Sequence, residues 1–211
     1  FKMQHQNESA AYYLEQRVQL DPTNTQWLDE LADFLQEYLA QYDKALEYYQ
    51  QTLSIQKQVY GDSHPDLALS YNNISKIYYS LGDFNQALVY NLSALGILPP
   101  MSEKYLIESA IIYNDAGLIF KALNEYTFSL DCFQHALTIS KLVFDEPHPD
   151  VATSYNNIGA IYADQGEYAR ALEYYQQALN ICRQTLGEEH SKTKNIQEKI
   201  EQTLQKLNEE K

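Results

Sequence analysis

The 211-residue chain carries a formal charge of −14 with only 7 Gly and 6 Pro, which disfavours many short strands joined by tight turns and favours long helices. Its 45% hydrophobic and 21% charged residues describe a folded chain. Residues 1–62, 63–146 and 147–211 have net charges of −6, −5 and −3. No third is basic, so nucleic acid is not expected as a partner, and no apolar run is long enough for membrane insertion.

The start, FKMQHQNES, has no apolar signal core and no initial Met, so no signal peptide is expected, and Phe1 reads as a cut inside a longer protein. Residues 1–20 read as a partial leading repeat, with 11–20, AYYLEQRVQL, as the second helix of a unit whose first helix is missing or frayed. Beyond them the chain repeats. His64-Pro65-Asp66 returns 84 residues later as His148-Pro149-Asp150, and His190 follows after another 42. Ser70-Tyr71-Asn72-Asn73-Ile74 returns as Ser154-Tyr155-Asn156-Asn157-Ile158, with Ile112-Tyr113-Asn114-Asp115-Ala116 halfway between. A sustained 42-residue period marks a solenoid, here with repeats over 21–190 and breaks near 62, 104 and 146.

Within each unit the spacing predicts two antiparallel helices. Tyr155, Ile158, Gly159 and Tyr162 share one helical face, and Tyr168, Ala171, Leu172, Tyr175, Ala178 and Leu179 share the next. Small residues (Ala32, Ser75, Gly117, Gly159) face a second small column (Ala45, Ala87, Ser129, Ala171) and permit close approach. Gly82 and Gly166 are expected to turn the chain in the left-handed conformation. In the first unit the core residues Leu28, Leu31, Ala32 and Leu35 run one residue out of phase, so the turn near Ala40 should be longer. The His-Pro-Asp segments should start helices, with Ser63 and Asp66 resembling a capping box. Pro99-Pro100 should stop a helix near Ile97. Residues 191–211 lack the small-residue signature and read as a polar capping helix.

Tyr155-x2-Ile158-Gly159-x2-Tyr162 followed by Ala171-x3-Tyr175 resembles the tetratricopeptide repeat, with Tyr where Trp is commonest. The 42-residue period and the segment HPDVATSYNNIGAIYADQGEYARALEYYQQALNI resemble the kinesin light chain subclass. The resemblance implies an all-α, right-handed superhelical solenoid whose concave groove holds extended peptides. The first-helix stripes opposite the core would line that groove: Gln26, Asp29, Asp33 and Gln36; Leu69, Asn72, Lys76 and Tyr79; Ile111, Asn114, Leu118 and Lys121; Thr153, Asn156, Ala160 and Ala163.

The candidate partner contacts are therefore Asn72, Lys76, Tyr79, Asn114, Leu118, Lys121, Asn156, Asp29 and Asp33. An Asn amide both donates and accepts, which suits pairing with an extended backbone, although a recurring Asn can also be inherited with its repeat. Asn73 and Asn157, the second column, are expected to hydrogen-bond between repeats. Lys76 and Lys121 would take a peptide carboxylate, while Asp29 and Asp33 would reject acidity or accept a basic residue. Incomplete end units leave room for self-association.

The histidine column is spaced too widely for one ion and reads as helix starts. No nucleophile–base, phosphate-loop or metal-ligand motif is present, so neither catalysis, a cofactor nor a metal is expected. Cys132 and Cys182 lie in apolar helical patterns and read as free thiols in a reducing, cytoplasmic setting. The triplets starting at Asn7, Asn73 and Asn91 match the glycosylation pattern by chance. The function expected is a protein-interaction module, with a sensor segment of a larger signalling protein or enzyme as the alternative.

Overall fold

A computed structural model describes residues 2–100, 102–144 and 147–209. Phe1, Met101, the repeat boundary at Glu146 and the last two residues of the capping segment lie outside the described residues. The described residues form α1 (Lys2–Leu20), α2 (Thr25–Leu39), α3 (Tyr42–Tyr60), α4 (Ala68–Ser80), α5 (Phe84–Ile97), α6 (Leu106–Ala122), α7 (Tyr126–Val143), α8 (Pro149–Asp164), α9 (Tyr168–Leu186) and α10 (Ser191–Glu209), with no strand among them. They fall into two compact units, residues 1–100 and 101–211.

In the first unit α2 pairs with α3 and α4 with α5, while α1 packs on α2 and α3 on α4. The core joins Leu28, Leu31, Ala32 and Leu35 to Tyr49, Leu67, Ile74 and Ile77. In the second unit α6 pairs with α7 and α8 with α9, α7 packs on α8, and α10 closes on α9. One cluster there centres on Phe133, Ile158 and Ile161. Another joins Ala171, Tyr175, Ala178 and Cys182 to Ile196 of α10.

The helix pairs turn at left-handed residues 42 apart: Ala40, Gly82, Asn124 and Gly166, with φ of 49, 80, 62 and 79°. At the second turn Gly82 N–H donates to Tyr79 O at 3.0 Å and Asp83 N–H to Tyr78 O at 2.9 Å. These two bonds satisfy carbonyls at the end of α4 that would otherwise be orphaned. The same pair forms at Asn124 and Gly166. In the first unit Gln41 N–H reaches back six residues to Leu35 O at 2.9 Å, and Ala40 N–H bonds the same oxygen. That wide turn absorbs the extra residue that puts α2 out of phase.

The histidine column caps helices. Nδ1 of His64, His148 and His190 accepts the N–H of the residue two further on, at 3.3, 3.2 and 3.2 Å. His64, not Ser63, is thus the N-cap of the Pro65–Leu67 turn. A ring nitrogen here does what an Asn or Asp oxygen does at other helix starts. Phe144 stacks on His148 at 3.8 Å and Tyr60 on His64 at 4.9 Å, which holds the rings in place.

The small columns meet as expected. Ser75 Oγ donates to Ala87 O, and Ser129 Oγ to Gly117 O, both at 2.7 Å. α5 stops at Ile97, before Pro99 and Pro100. α10 buries Thr193, Ile196 and Thr203, but places exposed Glu201 where the preceding repeats carry Gly117 and Gly159. Both cysteines are free, Cys182 buried and Cys132 partly so. Burial, then neighbouring Asp131, pushes the Cys132 thiol up to about 11, and burial also raises Cys182 against the opposing pull of Lys192. All three glycosylation-like triplets lie in helices, and Asn91 is fully buried.

Candidate partner-binding groove

In the first unit the acidic pair lies on α2. Asp33 is exposed and accepts the Tyr49 hydroxyl, while Asp29 is half-buried. Asp29 Oδ1 and the buried Thr52 Oγ1 lack a formed hydrogen bond. Burial raises the Asp29 carboxyl to about 6; the adjacent Thr52 hydroxyl pulls it down, and Asp33 pushes it further up. A carboxyl whose folded pKa lies above its ordinary 3.8 stabilises the fold while protonated, and this contribution is lost as pH rises through about 6. Asp29→Asn is therefore expected to stabilise the chain by about 1 kcal/mol at pH 7.5, a value reduced for solvent screening, and to bring no gain at pH 4. Urea unfolding of variant and wild type at both pH values checks this; equal stability at pH 7.5 refutes it.

On α4 the expected stripe divides. Leu69, Lys76 and Tyr79 are exposed, with the Tyr79 ring resting on Phe84 at 5.4 Å. Asn72 is buried and turned to α5, where its Oδ1 accepts Asn91 Nδ2 at 3.0 Å. The expectation that Asn72 offers its amide to a partner is corrected accordingly. The cause lies on α5: Asn91 stands in the column that carries Tyr49, Phe133 and Tyr175 in the other units, and a buried amide there needs a polar mate.

In the second unit the first helices α6, α8 and α10 are tied by side-chain hydrogen bonds between repeats. Asn157 Nδ2 donates to Asn114 Oδ1 at 2.8 Å, and Lys199 Nζ to Asn156 Oδ1 at 2.9 Å, each across 43 residues. Asn157 thus has the inter-repeat role expected of its column, and the first column supplies the acceptors. Leu118 is half-buried against the Phe133 cluster. Lys121 pairs with Asp164 at 3.0 Å, so the carboxylate expected for it comes from within the chain. Sequence reasoning missed Asp164 and Lys199; Lys199 lies 42 residues after Asn157, so the repeat arithmetic already marked its place.

Between α6 and α8 lies a hollow of about 210 Å³, lined by Ile107, Ile111, Asn114, Thr153 and Phe144. Between α8 and α10 a second, of about 390 Å³, is lined by Thr153, Asn156, Cys182, Lys192 and Asn195. Among the described residues no cluster of His, Cys, Asp or Glu could hold a metal ion, and no helix is long and apolar enough to cross a membrane.

Helix pairs on a 42-residue period, closed by small columns and left-handed turns, define an all-α tetratricopeptide-repeat solenoid. The chain belongs to the tetratricopeptide repeat family, whose model matches residues 24–99, 108–184 and 150–211. No curated protein matches it in sequence. Among solved structures it is similar to BtubC (BKLC) from P. vanneervenii, with a TM-score of 0.76 at 22% identity over 98% of this chain and 84% of that one. It is also similar to a putative kinesin light chain from Podosopora anserina with nearly identical repeats, with a TM-score of 0.71 at 19% identity over 89% of each chain. A third is MamA, with a TM-score of 0.60 at 16% identity over 84% of this chain and 90% of that one. These likenesses concern the fold. Tetratricopeptide repeats generally serve as non-enzymatic protein-interaction scaffolds.

Proposed function

We propose that the protein is an adaptor or scaffold that binds an extended peptide, or an extended segment of a partner, along the first helices of its repeats. The observation that carries this reading is the hollow between α6 and α8. There Ile107 and Ile111, 47% and 45% exposed, stand beside the hydrogen-bonding side chains of Asn114 and Thr153. An extended chain alternates side chains with backbone donors and acceptors, and apolar seats flanked by polar groups suit it. Asn114 and Asn156 line the two hollows while their oxygens tie the repeats together, and Asn156 Nδ2 also donates to Asn157 Oδ1 at 3.3 Å. In the first unit Lys76 and Tyr79 are the exposed contacts, and Asp29 and Asp33 suit a basic residue. The two free thiols, both raised by burial, fit a cytoplasmic setting.

A displayed library of random extended peptides tests the reading. The wild-type chain is expected to enrich peptides whose affinity falls by roughly tenfold or more in Ile111→Arg/Thr153→Arg, where bulk and charge fill the hollow. Leu142→Arg, at a 62% exposed position on α7, should leave affinity unchanged. Failure to enrich any peptide, or equal binding by the double variant, rejects the proposal.

A further inference from the structure

Three lysines converge in the second unit of a chain whose net charge is −14. A hollow of about 240 Å³ bordered by α6, α8 and α10 is lined by Lys121, Lys199 and Lys206, with Asp164 and Gln202 beside them. Asp164 pairs with Lys121 at 3.0 Å. Lys199 gives one donor to Asn156 Oδ1 at 2.9 Å, which holds its ammonium in place. Lys206 lies two turns further along the same face of α10. Burial, and after it the charge of Lys121, lowers the Lys199 pKa, with Asp164 compensating only in part. Three cations and one carboxylate leave an excess of two positive charges around a partly desolvated hollow. The fold holds Lys121 and Lys199 together at a cost that an entering anion would relieve, and exposed Lys206, its ammonium 5.9 Å from the Tyr168 ring, stands at the rim.

We propose that this hollow is a phosphoryl-binding site for a phosphorylated side chain of an extended peptide, with Lys199 and Lys206 of α10 as its main donors and Asp164 as the internal counter-ion that the ligand displaces from Lys121. The proposal rests on the reading of the groove as a peptide site. A phosphoryl group carries close to two negative charges at neutral pH and three acceptor oxygens, matching both the charge excess and the number of ammonium groups. A single carboxylate would leave one cation unmatched. α10, which packs on α9, is then part of the binding surface as well.

The test titrates the full chain with Gly-Gly-phosphoserine-Gly-Gly, with the same peptide unphosphorylated, and with inorganic phosphate, following calorimetric heat and the amide resonances of α10. The phosphopeptide should bind and the unphosphorylated form should not. Lys199→Gln and Lys206→Gln should each weaken binding by roughly tenfold. Asp164→Asn, which leaves all three lysines in place, should tighten it and keeps the test decisive if a lysine variant is unstable. Equal phosphopeptide affinity in wild type and a helical Lys199→Gln/Lys206→Gln variant overturns the proposal, as does unchanged affinity in Asp164→Asn or no binding of any probe. Inorganic phosphate bound through Lys199 and Lys206 while the phosphopeptide fails to bind would uphold the anion site and reject its peptide ligand.

Discussion

Gly159→Val is expected to destabilise the second unit by about 3 kcal/mol, lowering its unfolding midpoint by roughly 10 °C. A Cβ at Gly159 would stand 2.8 Å from the Tyr175 ring and 3.2 Å from the backbone oxygen of Ala171. The ring could turn aside only by leaving its buried seat, and the carbonyl belongs to α9 itself, so α8 and α9 must separate. Since α8 also carries Thr153 and Asn156, the same change should disturb the groove side. Gly96→Ala is the control: nothing lies within 4 Å of its added methyl, and Ala is the better helix former. Circular dichroism during heating and urea unfolding separate the two. A Gly159→Val midpoint within 2 °C of wild type would show that the pair tolerates a wider spacing, with ~2 °C corresponding to well under 1 kcal/mol at this size.

Phe133→Ala should cost about 3–5 kcal/mol, the usual range for emptying a well-packed aromatic site. The ring is fully buried and occupies the space that Gly117 leaves open; a Cβ at Gly117 would meet it at 2.5 Å. It also anchors Ile158 and Ile161 of α8, with Leu118 of α6 packed at its edge. One side chain thus joins both helices that border the apolar hollow. Denaturant unfolding measures the loss, and a change below ~1 kcal/mol would show that neighbouring side chains collapse into the vacated space.

The first effect is legible in the small column, whereas only the structure shows the Phe133 ring filling the space beside Gly117. Gly117 and Gly159 fall in the small column, and Phe133 and Tyr175 share a second-helix column with Tyr49. The turns were only half legible. Gly82 and Gly166 announce a left-handed residue, whereas Ala40 and Asn124 occupy the same conformation without announcing it. Position within the repeat, not residue type, decides the backbone there. The capping role of the histidines was legible as a helix start but not as a ring nitrogen accepting a backbone N–H, because His is not among the usual capping residues.

The candidate site was less legible than the fold. The spacing of the asparagine column points it at a partner, yet Asn72 turns to Asn91, while Asn114 and Asn156 accept from Asn157 and Lys199. The same amide chemistry suits a ligand backbone and a neighbouring helix equally well, so residue type alone does not choose between them. Lys121 was legible as a cation; its partner Asp164, 43 residues away, was not.

By itself, the sequence determined the all-helical repeat, its 42-residue period, the faces that pack and the break at Pro99-Pro100, because these depend on short-range periodicity and on backbone limits that each copy restates. The tertiary structure alone decided which polar groups meet. Pairs such as Asn114–Asn157, Asn156–Lys199 and Lys121–Asp164 join neighbouring repeats at an offset of 43 residues. Side-chain direction and burial set that offset only once the helices are packed, and no local pattern encodes it.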